Sequence, residues 1–451
     1  MKKIICVILC ISMVAASLIG CSSNVKEEEK TISETSADKN EEEISSENTE
    51  ADTEAEVENQ NVEIVMFINS PEYRYAIDQL IEEYKKVEPN VTIKYETIQS
   101  DYPTQLINRM NAGEVPDIFS TTAGKETDMF REWSYNLEEE PLAKAMLPYV
   151  AFDMKSGGGI YGFPLKGNYF GIVYNKDVLE SSGVTEFPST IKEMKDACRK
   201  IKASGYTPFT TGYKEWWVYK HIWQHYFDVA AKNSPCGDPA ALVHKFEIGE
   251  ANIKDYKELY NNYFDFIDLT KENADLSPID TTLMDQIKTF SEGETAFVVG
   301  QGAWIEADCL AQNPNLKIGF NGYPVTNDPE ECQVIAGSDS ALHVYNDSEH
   351  LQETLDFVNW WYTSDYGINW FTNVAKVVPP IATVSESNLE IIKQGEELVQ
   401  TKGSAELSIT YSTDSWHEEF GTLMKKYVNG ASKDEICTLI ENEWAEIDGE
   451  E

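Results

Sequence analysis

The stretch VEIVMFINSPEYRYAIDQLIEEYKKVEPNVTIKYETIQSDYPTQLINRMNAGEVPDIFSTT, residues 62–122, decides the fold class. Apolar residues alternate at Val62, Ile64, Met66 and Ile68, the period of a strand with one buried face. A helical spacing follows in Ala76, Ile77, Leu80, Ile81, Tyr84 and Val87, and Pro89-Asn90 ends it. A second strand is predicted through Val91, Ile93 and Tyr95, then a helix around Leu106, Ile107 and Met110, then a short strand at Ile118-Phe119. Strand, helix, strand, helix, strand is the order of a parallel sheet with crossover helices. The expected class is therefore α/β, with ligand sites at the carboxyl ends of the strands.

Towards the C-terminus, a second layer is predicted to begin after Gly171-Ile172-Val173-Tyr174. Thr190 and Glu193 have the spacing of a capping box for a helix through Ile191, Met194, Ala197, Cys198 and Ile201, closed by Gly205. Further helices are predicted at about 253–269, 283–291, 350–363, 414–429 and 433–447. The last two carry apolar stripes, Phe420, Leu423, Met424 and Tyr427, then Ile436, Leu439, Ile440 and Trp444. No short-period repeat is visible, which argues against a solenoid or propeller. A chain of 451 residues exceeds one ordinary core, so two packed domains are expected.

Towards the N-terminus, Lys2 and Lys3 precede an apolar run from Ile4 to Gly20, the pattern of an export signal. The run ends in Leu18-Ile19-Gly20-Cys21, which resembles the bacterial lipobox. That resemblance implies removal of residues 1–20, lipidation of Cys21 and a membrane anchor on the extracytoplasmic face. Residues 21–61 are rich in Glu, Ser and Thr, with a net charge of −11 over 22–61, too charged and too poor in apolar groups to fold. They read as an acidic linker. Of eight cysteines, Cys198, Cys236, Cys309, Cys332 and Cys437 remain beyond Cys21, without the spacing of a zinc site or a disulfide framework. The chain carries 36 basic against 78 acidic residues, whereas binding to a phosphate backbone needs cations that displace counterions. Nucleic acid is excluded as a partner on that ground.

Four segments, in order, resemble the extracellular solute-binding proteins of family 1, the group that includes maltose- and oligosaccharide-binding proteins of ABC importers. They are Asn111-Ala112-Gly113-Glu114-Val115-Pro116-Asp117-Ile118; Tyr161-Gly162-Phe163-Pro164 with Gly171 to Asp177; Phe187-Pro188-Ser189-Thr190 to Met194; and Phe290 to Phe297 with Gly302-Ala303-Trp304. The resemblance implies a two-lobed periplasmic-binding-protein fold, similar to maltose-binding protein, with crossing segments near Asn168–Val173, Tyr323–Thr326 and Ala375–Pro380. Lobe one would comprise 62–170 and 325–375, and lobe two 171–324 and 376–451. It further implies a monomer that holds a sugar between its lobes and delivers it to ABC permease subunits driven by a cytoplasmic ATPase, with no cofactor.

A sugar presents C–H faces and hydroxyl edges, so its site needs flat aromatic platforms and short polar groups. The resemblance implies platforms at Trp216 and Trp217, placed after a predicted strand, at Trp304 and at Trp416. Trp416 also fits the apolar stripe of its own helix, and a purely packing role is the competing reading. For lobe one the polar candidates are Asp117, Ser120, Thr121 and Thr122 around the third strand, with Asp117 alternatively a turn residue. Tyr73, Asn168, Tyr169 and Asp339 complete the set. His221 and His225 stand four apart without a third ligand, so a packed pair is favoured over a metal site. Gly157-Gly158-Gly159 lacks the Lys-Ser/Thr of a phosphate loop and reads as a turn. The rival readings are a lipid-anchored enzyme acting on polysaccharide and a receptor for a peptide or polyamine; the sequence holds no nucleophile elbow or metal quartet to support the first.

Overall fold

The computed structural model describes residues 61–98, 101–274, 276–383 and 387–449; the export signal, Cys21 and the linker lie outside them. The strands of these residues are, in order, β1 (Val62–Ile68), β2 (Val91–Thr97), β3 (Ile118–Thr122), β4 (Lys155–Ser156), β5 (Gly159–Ile160), β6 (Asn168–Asn175), β7 (Thr207–Thr210), β8 (Thr295–Gly302), β9 (Ile318–Asn321), β10 (Ile335–Gly337) and β11 (Ser340–Val344).

The first sheet has the order β11-β3-β1-β2. β2 and β3 both run parallel to β1, and β11 lies antiparallel to β3. Helices Arg74–Val87 and Tyr102–Ala112 make the two crossovers, as the apolar periods require. Ala76, Ile77, Leu80 and Tyr84 are buried against the sheet, while Val87, at the helix's last residue, is exposed. The core of this lobe also takes in Trp361, Tyr362, Trp370 and Phe371.

The second sheet has the order β10-β6-β8-β7, with β9 also paired to β6. Only β7 and β8 run parallel; β8, β9 and β10 all lie antiparallel to β6. The second layer is thus mixed rather than a repeat of the first. The Thr190 and Glu193 capping box is present, each side chain bonded to the other's backbone N–H. The stretch predicted as one helix over 253–269 is a 3-10 turn at Ile253–Asp255, a π-helix at Glu258–Tyr263 and an α-helix at Phe264–Glu272. The wider turn keeps Leu259 and Tyr263 buried while Asn262 Nδ2 donates to the Val325 carbonyl at 3.0 Å. Helices Asp414–Val428 and Lys433–Gly449 bury Phe420, Leu423, Met424, Ile436, Ile440 and Trp444 in the main core of this lobe.

The crossings between the sheets depart from expectation at two places: β6 (Asn168–Asn175), where the first crossing was expected, already lies wholly in the second sheet. Phe163 bridges Leu342 beside the first sheet, and Gly167 bridges Val378 just before β6 enters the second. Residues 375–381 pass alongside, with Ile381 bridging Met146. Tyr323 and Val325, however, belong to the second core, and β10, inside the stretch 325–375 expected in lobe one, pairs with β6. The crossing expected near Tyr323–Thr326 is made instead by Ser338-Asp339, between β10 and β11. Asp153 braces it: its Oδ2 accepts the Ser338 N–H at 3.1 Å, and burial raises its carboxyl to about 7.

The triple-glycine segment closes the β4–β5 hairpin, with Gly157 at φ +53 and Gly158 at φ +91, a turn that only glycine adopts readily at both positions. The five cysteines of the described residues are free, and burial pushes the thiols of Cys198, Cys309, Cys332 and Cys437 up to about 12. They are packed groups rather than reactive ones. No helix among the described residues is long and apolar enough to cross a membrane.

Candidate functional site

The carboxyl end of β3 meets the Ser338-Asp339 crossing, since Thr122 pairs with Ser340 and the Ala123 N–H donates to the Asp339 carbonyl at 3.2 Å. At that point Asn168 Nδ2 donates to Asp339 Oδ1 at 2.5 Å, and Lys166 Nζ donates to Asn168 Oδ1 at 2.8 Å and stands 3.5 Å from Asp339 Oδ1. Burial by itself would raise the Asp339 carboxyl. Lys166 and Lys220 outweigh it and hold the group below its ordinary value, so Asp339 is a carboxylate at neutral pH. Tyr73 faces the same cluster: burial raises its hydroxyl, and the charges of Glu72 and Asp339 add to the effect, keeping it a neutral donor.

The second lobe brings aromatic surface to this point. Trp216 and Trp217 follow β7 and open the helix Trp217–Lys232, so the spacing of four governs their neighbours. Lys220 Nζ lies 4.9 Å from the centroid of the Trp216 ring and 3.8 Å from Asp414 Oδ1. His221 lies 5.2 Å from Trp217 and 5.6 Å from Trp304, centroid to centroid, and Phe170 touches both His221 and Trp304. Burial lowers the His221 imidazole to about 3, helped by the Lys220 charge. The ring is neutral, and because its Nδ1 faces the Gly300 carbonyl at 3.0 Å, that nitrogen carries the proton and Nε2 is left as an acceptor. Trp216, Trp217 and Trp304 are each half-buried.

Several residues expected at the site are not brought there. Asp117 precedes β3 and spends both carboxylate oxygens on the Val65 N–H, at 2.7 Å, and on the Ser348 hydroxyl. Ser120 Oγ accepts the Asn69 N–H at 2.9 Å. Thr121 points to the other face of the pleat, where its hydroxyl meets His343 Nε2 at 2.8 Å. By the same alternation Tyr169 turns away from Asn168 and packs in a separate core with Val378 and Ile391. Trp416 is 4% exposed and stacked on Trp444 and Phe420, so it is core. Tyr73, Thr122, Asn168, Asp339, Trp216, Trp217 and Trp304 remain in or beside the cluster.

The sequence reading missed Lys166 and Lys220, and took His221 only as one of a packed pair. The helical repeats 216/220 and 217/221 were a visible signal for Lys220 and His221, whereas Lys166 had none. His221 and His225 do not form a metal pair: His225 packs edge-on against Tyr323 and is held neutral, burial lowering it to about 3. Among the described residues no group of three or more His, Cys, Asp or Glu side chains is arranged to hold a metal. Two further contacts join the lobes beside the cluster: Lys125 Nζ to Glu247 Oε1 at 2.7 Å, and the Asp414 N–H donating to Glu126 Oε1 at 3.0 Å. Carboxylate, ammonium, hydroxyl and bare imidazole nitrogen beside aromatic rings suit a neutral ligand with many hydroxyls and an apolar face.

Residues 69–368 match the model of the family described as bacterial extracellular solute-binding protein. The chain is 24% identical over 311 residues to the multiple sugar-binding protein of Streptococcus mutans, covering 67% of this chain and 71% of that protein. It is 24% identical over 301 residues to the melibiose/raffinose/stachyose-binding protein MelE of Bacillus subtilis, covering 63% and 66%. The fold is similar to that of a sugar transporter from Bacillus licheniformis solved in complex with stachyose, with a TM-score of 0.70, 18% identity, and 86% and 100% of the two chains covered.

Proposed function

Because the chain belongs to the bacterial extracellular solute-binding proteins, we propose that it captures a carbohydrate, a mono- or oligosaccharide, between its two lobes and delivers it to the permease of an ABC importer. It is a binding protein, as its family is, and not an enzyme. The observation that carries the carbohydrate reading is the assembly of Trp217, Trp304 and Phe170 around a neutral His221, beside the ionised Asp339 with Lys166 and Lys220. The Streptococcus mutans and Bacillus subtilis relatives, both named as sugar-binding proteins, support it. The ligand contacts we propose are Trp304, Trp217, Trp216, Asp339, Asn168, Thr122, Tyr73, Lys166, Lys220 and the Nε2 of His221. Lobe one is proposed to span about 62–166 and 338–381, and lobe two about 168–337 and 387–449. A sugar touching both lobes selects the closed form, because a ligand shifts an equilibrium only by its differential affinity.

The test is a thermal-shift panel of raffinose, stachyose, other sugars, amino acids and polyamines, followed by small-angle scattering. A sugar should raise the melting temperature as saturation increases and should compact the protein, as expected of a ligand that binds only the native state. A shift given only by amino acids or polyamines would overturn the carbohydrate reading.

The anchor is proposed separately: the lipobox-like Leu18-Ile19-Gly20-Cys21 places a lipid on Cys21 and the protein on the extracytoplasmic face of the membrane as a tethered monomer. Cell fractionation checks this. Cys21→Ser should move the processed protein out of the membrane fraction, and a processed Cys21→Ser protein still held there would refute the anchor.

A further inference from the structure

We propose that Gln301 and Gln286 form a one-way hydrogen-bond relay that fixes the ring plane of Trp304, which makes both glutamines positioning residues for ligand capture; this rests on the reading of Trp304 as an aromatic platform. The indole Nε1–H of Trp304 donates to Gln301 Oε1 at 2.8 Å. Gln301 Nε2 donates to Gln286 Oε1 at 2.8 Å. Gln286 Nε2 then donates to two backbone carbonyls, Thr210 and Val299, both at 3.1 Å. The relay begins at an indole nitrogen, which only donates, and ends at carbonyls, which only accept. Each amide between them therefore has a single allowed orientation, since flipping either would set donor against donor or acceptor against acceptor.

Both glutamines are buried, Gln301 to 1% and Gln286 to 0% exposure, so a broken link has no water to replace it. The anchor is stiff, because Thr210 is on β7, Val299 and Gln301 are on β8, and Gln286 is on the helix Leu283–Ser291 packed against them. The opposite edge of the indole abuts Gly302, where a Cβ would stand 2.4 Å from ring atom Cζ3 and 2.2 Å from the Tyr169 carbonyl oxygen. A half-buried tryptophan is ordinarily free to turn about its side-chain bonds. Here one edge is held by the relay and the other by bare backbone, so the face offered to a sugar is set before the sugar arrives, which reduces the ordering cost of binding.

Two readouts test this on the full chain labelled with 15N-tryptophan. The indole resonance of Trp304 is assigned by its loss in Trp304→Phe. Gln301→Glu keeps an acceptor for the indole but has no N–H for Gln286, so it breaks the relay in the middle with little change of shape. It should move the Trp304 indole resonance, speed its hydrogen exchange on the order of tenfold, and weaken stachyose binding about fivefold. Trp304→Phe, which leaves both glutamines in place, should also weaken stachyose although an aromatic face remains. In a Trp304→Ala background Gln301→Glu should add no further loss, as expected of residues acting through one group. An indole resonance and exchange rate indifferent to Gln301→Glu would overturn the relay, as would an equal loss of stachyose affinity in the Trp304→Ala background. If Trp304→Ala binds stachyose as tightly as wild type, the platform reading itself fails, and the indole spectrum shows separately whether the relay exists.

Discussion

Replacing Trp416 by alanine should lower the stability of the unliganded protein by about 3–5 kcal/mol, the usual range for removing a large buried aromatic, and leave carbohydrate affinity unchanged. The ring is sandwiched: its centroid lies 4.4 Å from Trp444 at 23° and 5.1 Å from Phe420 at 14°. Trp444 is tied in turn to Ser412, with its Nε1 donating to Oγ at 3.2 Å. Truncation would open a cavity between two terminal helices whose packing on the second lobe depends on these rings. Helix Trp217–Lys232 is part of the same cluster through Trp223, so neighbours cannot collapse into the space without moving the helix that carries Trp217. Thermal melts and stachyose titrations of the same preparation check the claim. An affinity loss with an unchanged melting temperature would return Trp416 to the binding site.

Trp304→Ala should behave in the opposite way, weakening carbohydrate binding by at least about tenfold, and nearer thirtyfold if the ring is a central anchor worth about 2 kcal/mol. Its ring is half-buried and meets Phe170 and His221 edge-on, at 5.6 Å each, rather than lying in a stacked core. The folded state loses little apolar packing. It does lose the partner of Gln301 Oε1, for which a modest cost of about 1 kcal/mol is expected. Isothermal titration gives the affinity, and a melt of the empty protein gives the stability. A drop of many degrees with normal binding would mark Trp304 as structural.

The contrast between these tryptophans shows where sequence reasoning stopped. Both were platform candidates on the same resemblance. The apolar stripe Trp416, Phe420, Leu423, Tyr427 was a true sign of burial, because a helical face with that period has to be covered. Trp304 lies on no such stripe and stays at the edge. The polar residues of β3 were harder. Ser120, Thr121 and Thr122 are alike in composition, but pleating sends Thr121 to His343, and the free N–H of Asn69 claims Ser120, which leaves Thr122 at the strand's end. Asp117 looks like a ligand group by type and is a backbone clamp by geometry.

Local order determined a good deal by itself. Alternation and helical spacing in residues 62–122 are enough for the parallel β1, β2 and β3 with their crossovers, and Thr190 with Glu193 is enough for a helix start, because these patterns concern neighbours a few positions apart. Only the tertiary structure decided the antiparallel pairing around β6, the crossing at Ser338-Asp339 in place of Tyr323–Thr326, and the charged centre. Asn168 and Asp339 meet across 171 positions, and Lys166 reaches Asp339 across 173. No local period encodes such contacts; they form because β10 pairs with the start of β6 and delivers the next two residues to the carboxyl ends of the first sheet.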